Sequence, residues 1–179
     1  INKNIKVDAS VIGDVKVILR KLNARLDPIN HDEWIAHIER MKDMYPLRYD
    51  KNTLTGPFIV QTINEVTQGD AVIVTEVGQH QMWVAQHYPF ETPRTFISSG
   101  GLGTMGFGLG AAIGAATATG RKTVLVTGDG SFGMNLNELA TAVTNQTPVV
   151  VFIMNNGVLG MVRQWQTLFF DKHYSNTTL

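Results

Sequence analysis

Residues 123–156 read TVLVTGDGSFGMNLNELATAVTNQTPVVVFIMNN. Two apolar runs, Thr123 to Thr127 and Pro148 to Met154, each end in a polar cluster, Gly128-Asp129-Gly130 and Asn155-Asn156, and a helical pattern over 134–145 joins them. Near-continuous runs of β-branched residues mark strands buried on both faces, and such strands belong to parallel sheets sandwiched between helices. The spacing therefore predicts a strand–helix–strand unit in which each polar cluster stands at the carboxyl end of a strand.

The same rhythm continues on the N-terminal side as far as Gly56. A helix is expected over 57–67, a strand over Ala71–Thr75, a polar segment Gly78-Gln-His80-Gln-Met-Trp83, and a strand over Arg94–Ser98. A glycine-rich helix is expected from about 104 to 118, and another helix follows the last strand from about 160 to 169. This is the pattern of an α/β fold with a doubly wound, mostly parallel sheet and helices on both faces. In such sheets ligands bind beyond the carboxyl ends of the strands, where every polar cluster of this chain falls.

Residues 1–55 have a different character. The alternating Ile5-Lys-Val7-Asp-Ala9 reads as a strand, and the apolar positions Val15, Val17, Ile18, Leu19, Leu22 and Leu26 as a helix stopped at Asp27-Pro28. Trp34, Ile35, Ile38, Met41 and Met44 form one face of a second helix closed by Pro46. One strand and one helix cannot make a core, so residues 1–30 are expected to be the tail of a preceding domain. Residues 31–55 would be a helical linker and 56–179 the main domain, truncated at its C-terminus. The start at Ile1 and the polar ending at Leu179 suggest a piece of a longer polypeptide.

Composition narrows the function. Fifteen basic and 15 acidic residues give a formal net charge of zero, with no block of like charge, so no nucleic-acid or anionic-membrane partner is expected. No apolar run approaches the ~20 residues of a membrane span. Cysteine is absent, which excludes disulfides, thiolate metal sites and a cysteine nucleophile and fits a cytoplasmic setting.

Three constellations carry chemistry. Gly101-Leu-Gly103-Thr-Met-Gly106 follows a strand and opens a helix, with Asp129 after the next strand, and so matches the dinucleotide fingerprint. Its glycines could equally serve close packing of helix on sheet. In Gly128-Asp129-Gly130 the glycines allow backbone to approach a ligand closely, and the helix expected beyond Ser131 would favour phosphate at its N-terminus. Asn156 lies 27 residues after Asp129, one αβ unit away, so the two side chains can meet at one sheet edge. A carboxylate, an amide oxygen and a nearby backbone carbonyl are hard donors suited to octahedral Mg²⁺, which takes phosphate oxygens and water for its remaining positions. His31, His37, His87 and His173 have no partner pattern and read as surface or packing residues.

Four segments together resemble a known family: Val77-Gly-Gln-His-Gln-Met-Trp83, Ser99-Gly-Gly-Leu-Gly-Thr-Met-Gly106, Thr127-Gly-Asp-Gly-Ser131 and Asn155-Asn-Gly-Val-Leu-Gly-Met-Val-Arg-Gln-Trp-Gln166. Over essentially its whole length the chain is similar to the C-terminal, thiamine-diphosphate-binding part of the acetohydroxyacid synthase (acetolactate synthase) large subunit. The resemblance implies Asp129 and Asn156 as side-chain ligands of Mg²⁺ and the Val158 carbonyl as a third. It implies Gln79 and His80, flanked by Val77 and Gly78, beside the diphosphate, with Gly130 and Ser131 as further donors and Leu159 and Gly160 on the same cofactor. It also gives Gly103 and Met105 as backbone partners of the aminopyrimidine and Met134 as the apolar support of a bent cofactor. Met161, Val162 and Trp165 would line the substrate channel, where Trp165 favours 2-oxobutanoate as acceptor. One departure is Gly110, where relatives commonly carry proline.

The implied activity is decarboxylation of pyruvate and carboligation to a second pyruvate or to 2-oxobutanoate. Another thiamine-diphosphate-dependent decarboxylase or oxidase is the alternative within the same chemistry, and a dinucleotide-binding module the alternative outside it. The activating glutamate is expected in a pyrimidine domain of a neighbouring subunit, leaving this chain without a catalytic residue of its own. A full-length member also carries FAD, assembles as a homodimer or homotetramer and can bind a regulatory small subunit; its location is cytoplasmic in bacteria and organellar in eukaryotes.

Overall fold

Val72–Thr75 (β1), Phe96–Ser98 (β2), Thr123–Gly128 (β3) and Val149–Met154 (β4) form one all-parallel sheet in the order β2-β1-β3-β4. The computed structural model describes residues 2–179; Ile1, the first residue of the expected domain tail, lies outside them. The chain divides into two compact units, 1–46 and 47–179.

In the larger unit the side chains of β1 and β3 alternate between two apolar layers, as the period-2 geometry of a strand requires, whereas β4, expected to be buried on both faces, lies at the sheet edge with Val150 and Ile153 exposed. Val72, Val74 and Leu125 pack with Leu109, Ala112, Ile113 and Ala115 of the helix Gly108–Thr119. Ile73, Val124 and Val126 pack on the other face with Val60 of the helix Gly56–Thr67 and Val84 of the helix Gln79–His87. Every residue of β1 is fully buried, and each large aliphatic side chain so placed contributes about 1.5–3 kcal/mol relative to exposure. Helices thus cover both faces, and the sheet is doubly wound.

In chain order the helices are α1 (Val15–Asn23), α2 (Asp32–Met44), α3 (Gly56–Thr67), α4 (Gln79–His87), α5 (Gly108–Thr119), α6 (Asp129–Gly133), α7 (Leu139–Thr144) and α8 (Gly160–Phe169). Local signals set their ends. The Thr55 hydroxyl accepts from the Phe58 N–H at 3.3 Å and Pro57 occupies the first turn of α3, while α5 stops at Gly120 in the left-handed region (φ 63°). No described helix is long and apolar enough to cross a membrane.

Four expectations need correction. The alternating stretch Ile5–Ala9 forms no strand, because alternation without a partner leaves the ladder hydrogen bonds unmade. The segment from Gly78 is a full helix, α4, whose apolar face is too broken to announce itself. The glycine-rich helix starts at 108, since Gly103 (φ 64°) and Gly106 (φ 87°) hold a left-handed backbone before it. Of the helix expected over 134–145 only a 3₁₀ turn, Leu136–Glu138, and the short α7 form, and a separate short helix, α6, precedes them. Asn135 leaves the helical region (φ −143°, ψ 25°) and spends its side-chain N–H on the Gly106 carbonyl at 3.2 Å.

The smaller unit consists of α1 and α2. Asp14 caps α1, its carboxylate accepting from the Val17 N–H at 3.0 Å. None of its described residues is buried, and Trp34, Ile12 and Ile5 are exposed.

Candidate functional site

The strand order fixes where a cleft can form. From β1 the chain turns to β2 on one side and returns to β3 on the other, so the loops after β1 and β3 leave in opposite directions. Such a switch point leaves a crevice beyond the carboxyl edge. It is lined by Val77, Gly78, Gln79 and His80 after β1, by Asp129, Gly130 and Ser131 after β3, and by Asn156, Val158, Leu159 and Gly160 after β4. Met105 joins them from the loop before α5. The enclosed space is small, about 40 Å³, and the cleft opens to solvent.

The two polar clusters meet. The Gly157 N–H donates to Asp129 Oδ2 at 2.8 Å, and Asn156 Oδ1 accepts from the Val158 N–H at 3.1 Å. Asp129 and Asn156 therefore stand at adjacent strand ends with their oxygens ordered by the same short loop. That loop is itself held: the Leu159 N–H donates to the Thr177 carbonyl at 2.8 Å and the Leu179 N–H to the Gly157 carbonyl at 3.0 Å. Among the described residues no group of three His, Cys, Asp or Glu could hold a metal. A cation at this edge would draw on one carboxylate, one amide, a carbonyl and the oxygens of a ligand, a donor set that suits Mg²⁺ and not Zn²⁺.

His80 is the second pole of the cleft. It is buried at 6% exposure, and its Nε2 has no hydrogen-bond partner. The ring lines the cleft, and a buried polar atom without a partner calls for a bound group or an ordered water beside it. Burial pushes the His80 pKa down to about 4, against the opposing pull of a hydrogen bond to the Glu76 backbone and of the Asp129 charge, so the ring is neutral at pH 7. Glycines give it room: Gly78 (φ 151°) would put a Cβ 2.9 Å from His80 Cε1, and Gly128 one 3.3 Å from Nδ1. At Gly160 a Cβ would collide with the side chain of Gln79, whose Nε2 donates to Gln164 Oε1 at 2.8 Å. Glycine at 78, 128 and 160 thus leaves room for the His80 and Gln79 side chains where a Cβ would crowd them.

The Ser131 hydroxyl donates to the Val77 carbonyl at 3.0 Å, tying the β3 loop to the end of β1. The five residues of α6 are too few for an effective helix dipole, so this loop offers individual amides, not the helix N-terminus expected from the sequence. Gly103 and Met134 stand outside the lining: Met134 is 58% exposed and packs beside Gly106. Of the three channel residues, Met161 is half-buried, while Val162 and Trp165 are exposed on α8, where Trp165 packs against Phe169 at 5.3 Å between ring centroids. Trp83, Gly128 and Met154 line the cleft as well. Trp83 sits one helical turn beyond Gln79 and His80, a spacing that places all three on one face and could have disclosed it.

The dinucleotide alternative fails on two counts. The glycine loop follows β2, which β1 separates from β3, so Asp129 does not stand on the neighbouring strand where a ribose would need it. The N-terminus of α5, where a pyrophosphate would sit, is already filled by the carboxylate of Glu76, which accepts from the Gly106 N–H at 2.9 Å and the Gly108 N–H at 2.6 Å.

With this geometry the family comparison agrees. Residues 76–179 match the model described as thiamine pyrophosphate enzyme, C-terminal TPP binding domain. The chain belongs to that family. It is 42% identical over 181 residues to the acetolactate synthase isozyme 2 large subunit of Escherichia coli (strain K12), covering 99% of this chain and 32% of that protein. It is 42% identical to the mitochondrial acetolactate synthase catalytic subunit of Saccharomyces cerevisiae, over 99% of this chain and 27% of the yeast protein. The acetolactate synthase large subunit of Corynebacterium glutamicum is 40% identical, over 100% of this chain and 30% of the relative. The chain thus spans about a third of the length of the curated relatives it matches. Within the family's TPP-binding domain, the unpartnered His80, the glycine-lined walls and the oxygen donors at Asp129 and Asn156 suit a diphosphate bound together with a divalent cation.

Proposed function

We propose that this chain is the diphosphate-binding part of an acetolactate synthase, a Mg²⁺- and thiamine-diphosphate-dependent transferase of branched-chain amino acid biosynthesis that decarboxylates pyruvate and joins the two-carbon remainder to a second 2-oxo acid, pyruvate or 2-oxobutanoate. The observation that supports it most is the 2.8 Å bond from the Gly157 N–H to Asp129 Oδ2, which unites two clusters 27 residues apart in sequence at one cleft. Residues 56–179 would be the diphosphate domain, 31–55 a linker and 1–30 the tail of a middle domain.

When bound, thiamine diphosphate supplies the electron sink that decarboxylation of a 2-oxo acid requires. The chain's own residues bind and orient. Asp129, Asn156 and the Val158 carbonyl would hold Mg²⁺, which neutralises diphosphate charge. Gln79, His80 and the amides of Gly130 and Ser131 would take phosphate oxygens, with Val77, Gly78, Leu159 and Gly160 as the walls. Neutral His80 adds a polar contact without a charge to desolvate. Met105 and Gly103 would meet the aminopyrimidine and Met134 support the bend between the rings, while Met161, Val162 and Trp165 would flank the path of the second 2-oxo acid. The activating glutamate would come from a partner chain's pyrimidine domain, in a homodimer or homotetramer that also carries FAD and a regulatory small subunit. The setting would be the cytoplasm in a bacterium and an organelle in a eukaryote.

Titration calorimetry tests this reading. Thiamine diphosphate is expected to bind the 179-residue chain with Mg²⁺ and not with a chelator. Asp129→Ala and Asn156→Ala should each weaken it roughly a hundredfold, about 2.7 kcal/mol. Binding that ignores both Mg²⁺ and these substitutions would overturn the assignment.

A further inference from the structure

Glu76, the first residue beyond β1, is 1% exposed. A buried carboxylate normally needs a cation, yet the described ion pairs are Lys42–Glu39 and Arg121–Asp70, and neither involves it. Its partners are backbone amides on a segment 30 residues away: Oε2 accepts from the Gly106 N–H at 2.9 Å and Oε1 from the Gly108 N–H at 2.6 Å. These donors begin α5, whose own N-cap residue, Phe107, provides no side-chain bond. The space for the carboxylate exists because residue 108 is glycine; a Cβ there would stand 2.9 Å from Glu76 Cγ and 3.0 Å from Cδ. At the far end of the same loop the Thr104 N–H donates to Ser99 Oγ at 3.0 Å. Between the two anchors lies Met105, which lines the cleft.

We propose that Glu76 is a positioning residue: its carboxylate replaces a bound anion at the start of α5 and clamps the Gly103–Gly108 turn to the end of β1, so that Met105 is presented to the cleft at a fixed height. The cofactor half of this inference rests on the function proposed above, in which Met105 and Gly103 meet the ring end of thiamine diphosphate and the loops after β3 and β4 meet its diphosphate. Removing the clamp should then loosen one end of the cofactor site and spare the other.

The test uses the full chain with Mg²⁺ and two probes, thiamine diphosphate and inorganic pyrophosphate, together with amide hydrogen exchange. Glu76→Gln places an NH₂ opposite one of the two backbone donors. It should speed exchange at Gly106 and Gly108 at least tenfold relative to the β3 amides and raise the Kd for thiamine diphosphate roughly tenfold. The Kd for pyrophosphate should change less than twofold. Glu76→Asp keeps both acceptors on a shorter stem and should recover part of the protection; it also carries the test if the glutamine variant does not fold. Unchanged exchange at Gly106 and Gly108, or equal weakening of both probes, would overturn the clamp. Freed amides in a chain whose wild type binds no thiamine diphosphate would leave the clamp standing and sink the cofactor reading instead.

Discussion

The loops that follow β2 and β3 are built from similar material, glycines and small polar residues at the carboxyl ends of parallel strands, but they end in opposite states. In the loop after β2 the amides of Gly106 and Gly108 are taken by Glu76, an anion supplied by the protein. In the loop after β3 Asp129 and Gly130 face a cleft where His80 Nε2 has no partner. Glycine richness at a strand end therefore marks a place where backbone can come close to an anion, and what decides between scaffold and site is whether the fold brings its own carboxylate.

The largest expected effect concerns the open side. His80 titrates at about 4 in the folded chain against 6.5 for the free side chain. A base with a depressed folded pKa stabilises the fold fully above its unfolded value and loses that contribution as pH falls through the folded one. Between pH 6.5 and about 4, urea unfolding should show a loss on the order of 3 kcal/mol from this residue, absent in His80→Gln. Glu76 acts with the opposite sign: burial raises its pKa above 4.5 despite the amides that favour the charge. Its contribution is present below 4.5 and is lost as pH rises through the folded value, so the two slopes oppose each other and the His80 variant separates them.

Next in size is the closed side. Gly108→Ala would set a Cβ 2.8 Å from Leu125 Cδ1 and against Glu76. Both neighbours are fully buried and cannot give way, so a loss of about 2 kcal/mol is expected from thermal unfolding. Gly110→Ala, two residues on in the same helix, meets nothing within 4 Å and should gain up to about 1 kcal/mol. Equal effects at the two positions would mean that the packing around Glu76 is not tight. The smallest effect belongs to the strut between the loops: Ser131→Ala removes the bond to the Val77 carbonyl and should lower stability by about 1 kcal/mol, read from the urea midpoint.

What could be read from the sequence followed from how local each cause is. β1, β3 and β4 were legible within a residue or two because an unbroken β-branched run has few other uses, and the link between Asp129 and Asn156 because one αβ unit has a nearly fixed length. The interrupted helix after Asp129 was not legible: its break depends on Asn135 bonding the Gly106 carbonyl, a contact made 29 residues away. Ile5–Ala9 misled for the complementary reason, since alternation describes a face and says nothing of a neighbour. Glu76 escaped notice because a charge after a strand usually points to water, and only the order β2-β1-β3 folds the start of α5 onto it.

That order gives the end of β1 an unusual duty. Glu76 reaches the loop after β2 with its side chain, while the next residue, Val77, receives Ser131 from the loop after β3 on its carbonyl. Both depend on the ladder that pairs Ile73 with Phe96 on one side and with Val124 on the other. Because successive residues face opposite ways, a single residue inserted in β1 would turn the carboxylate away from Gly106 and move the carbonyl off Ser131 at one stroke. The calibration of the cleft is thus kept in the central strand, counted in whole residues, and the loops that display the ligand groups are free to vary in length only where they do not touch it.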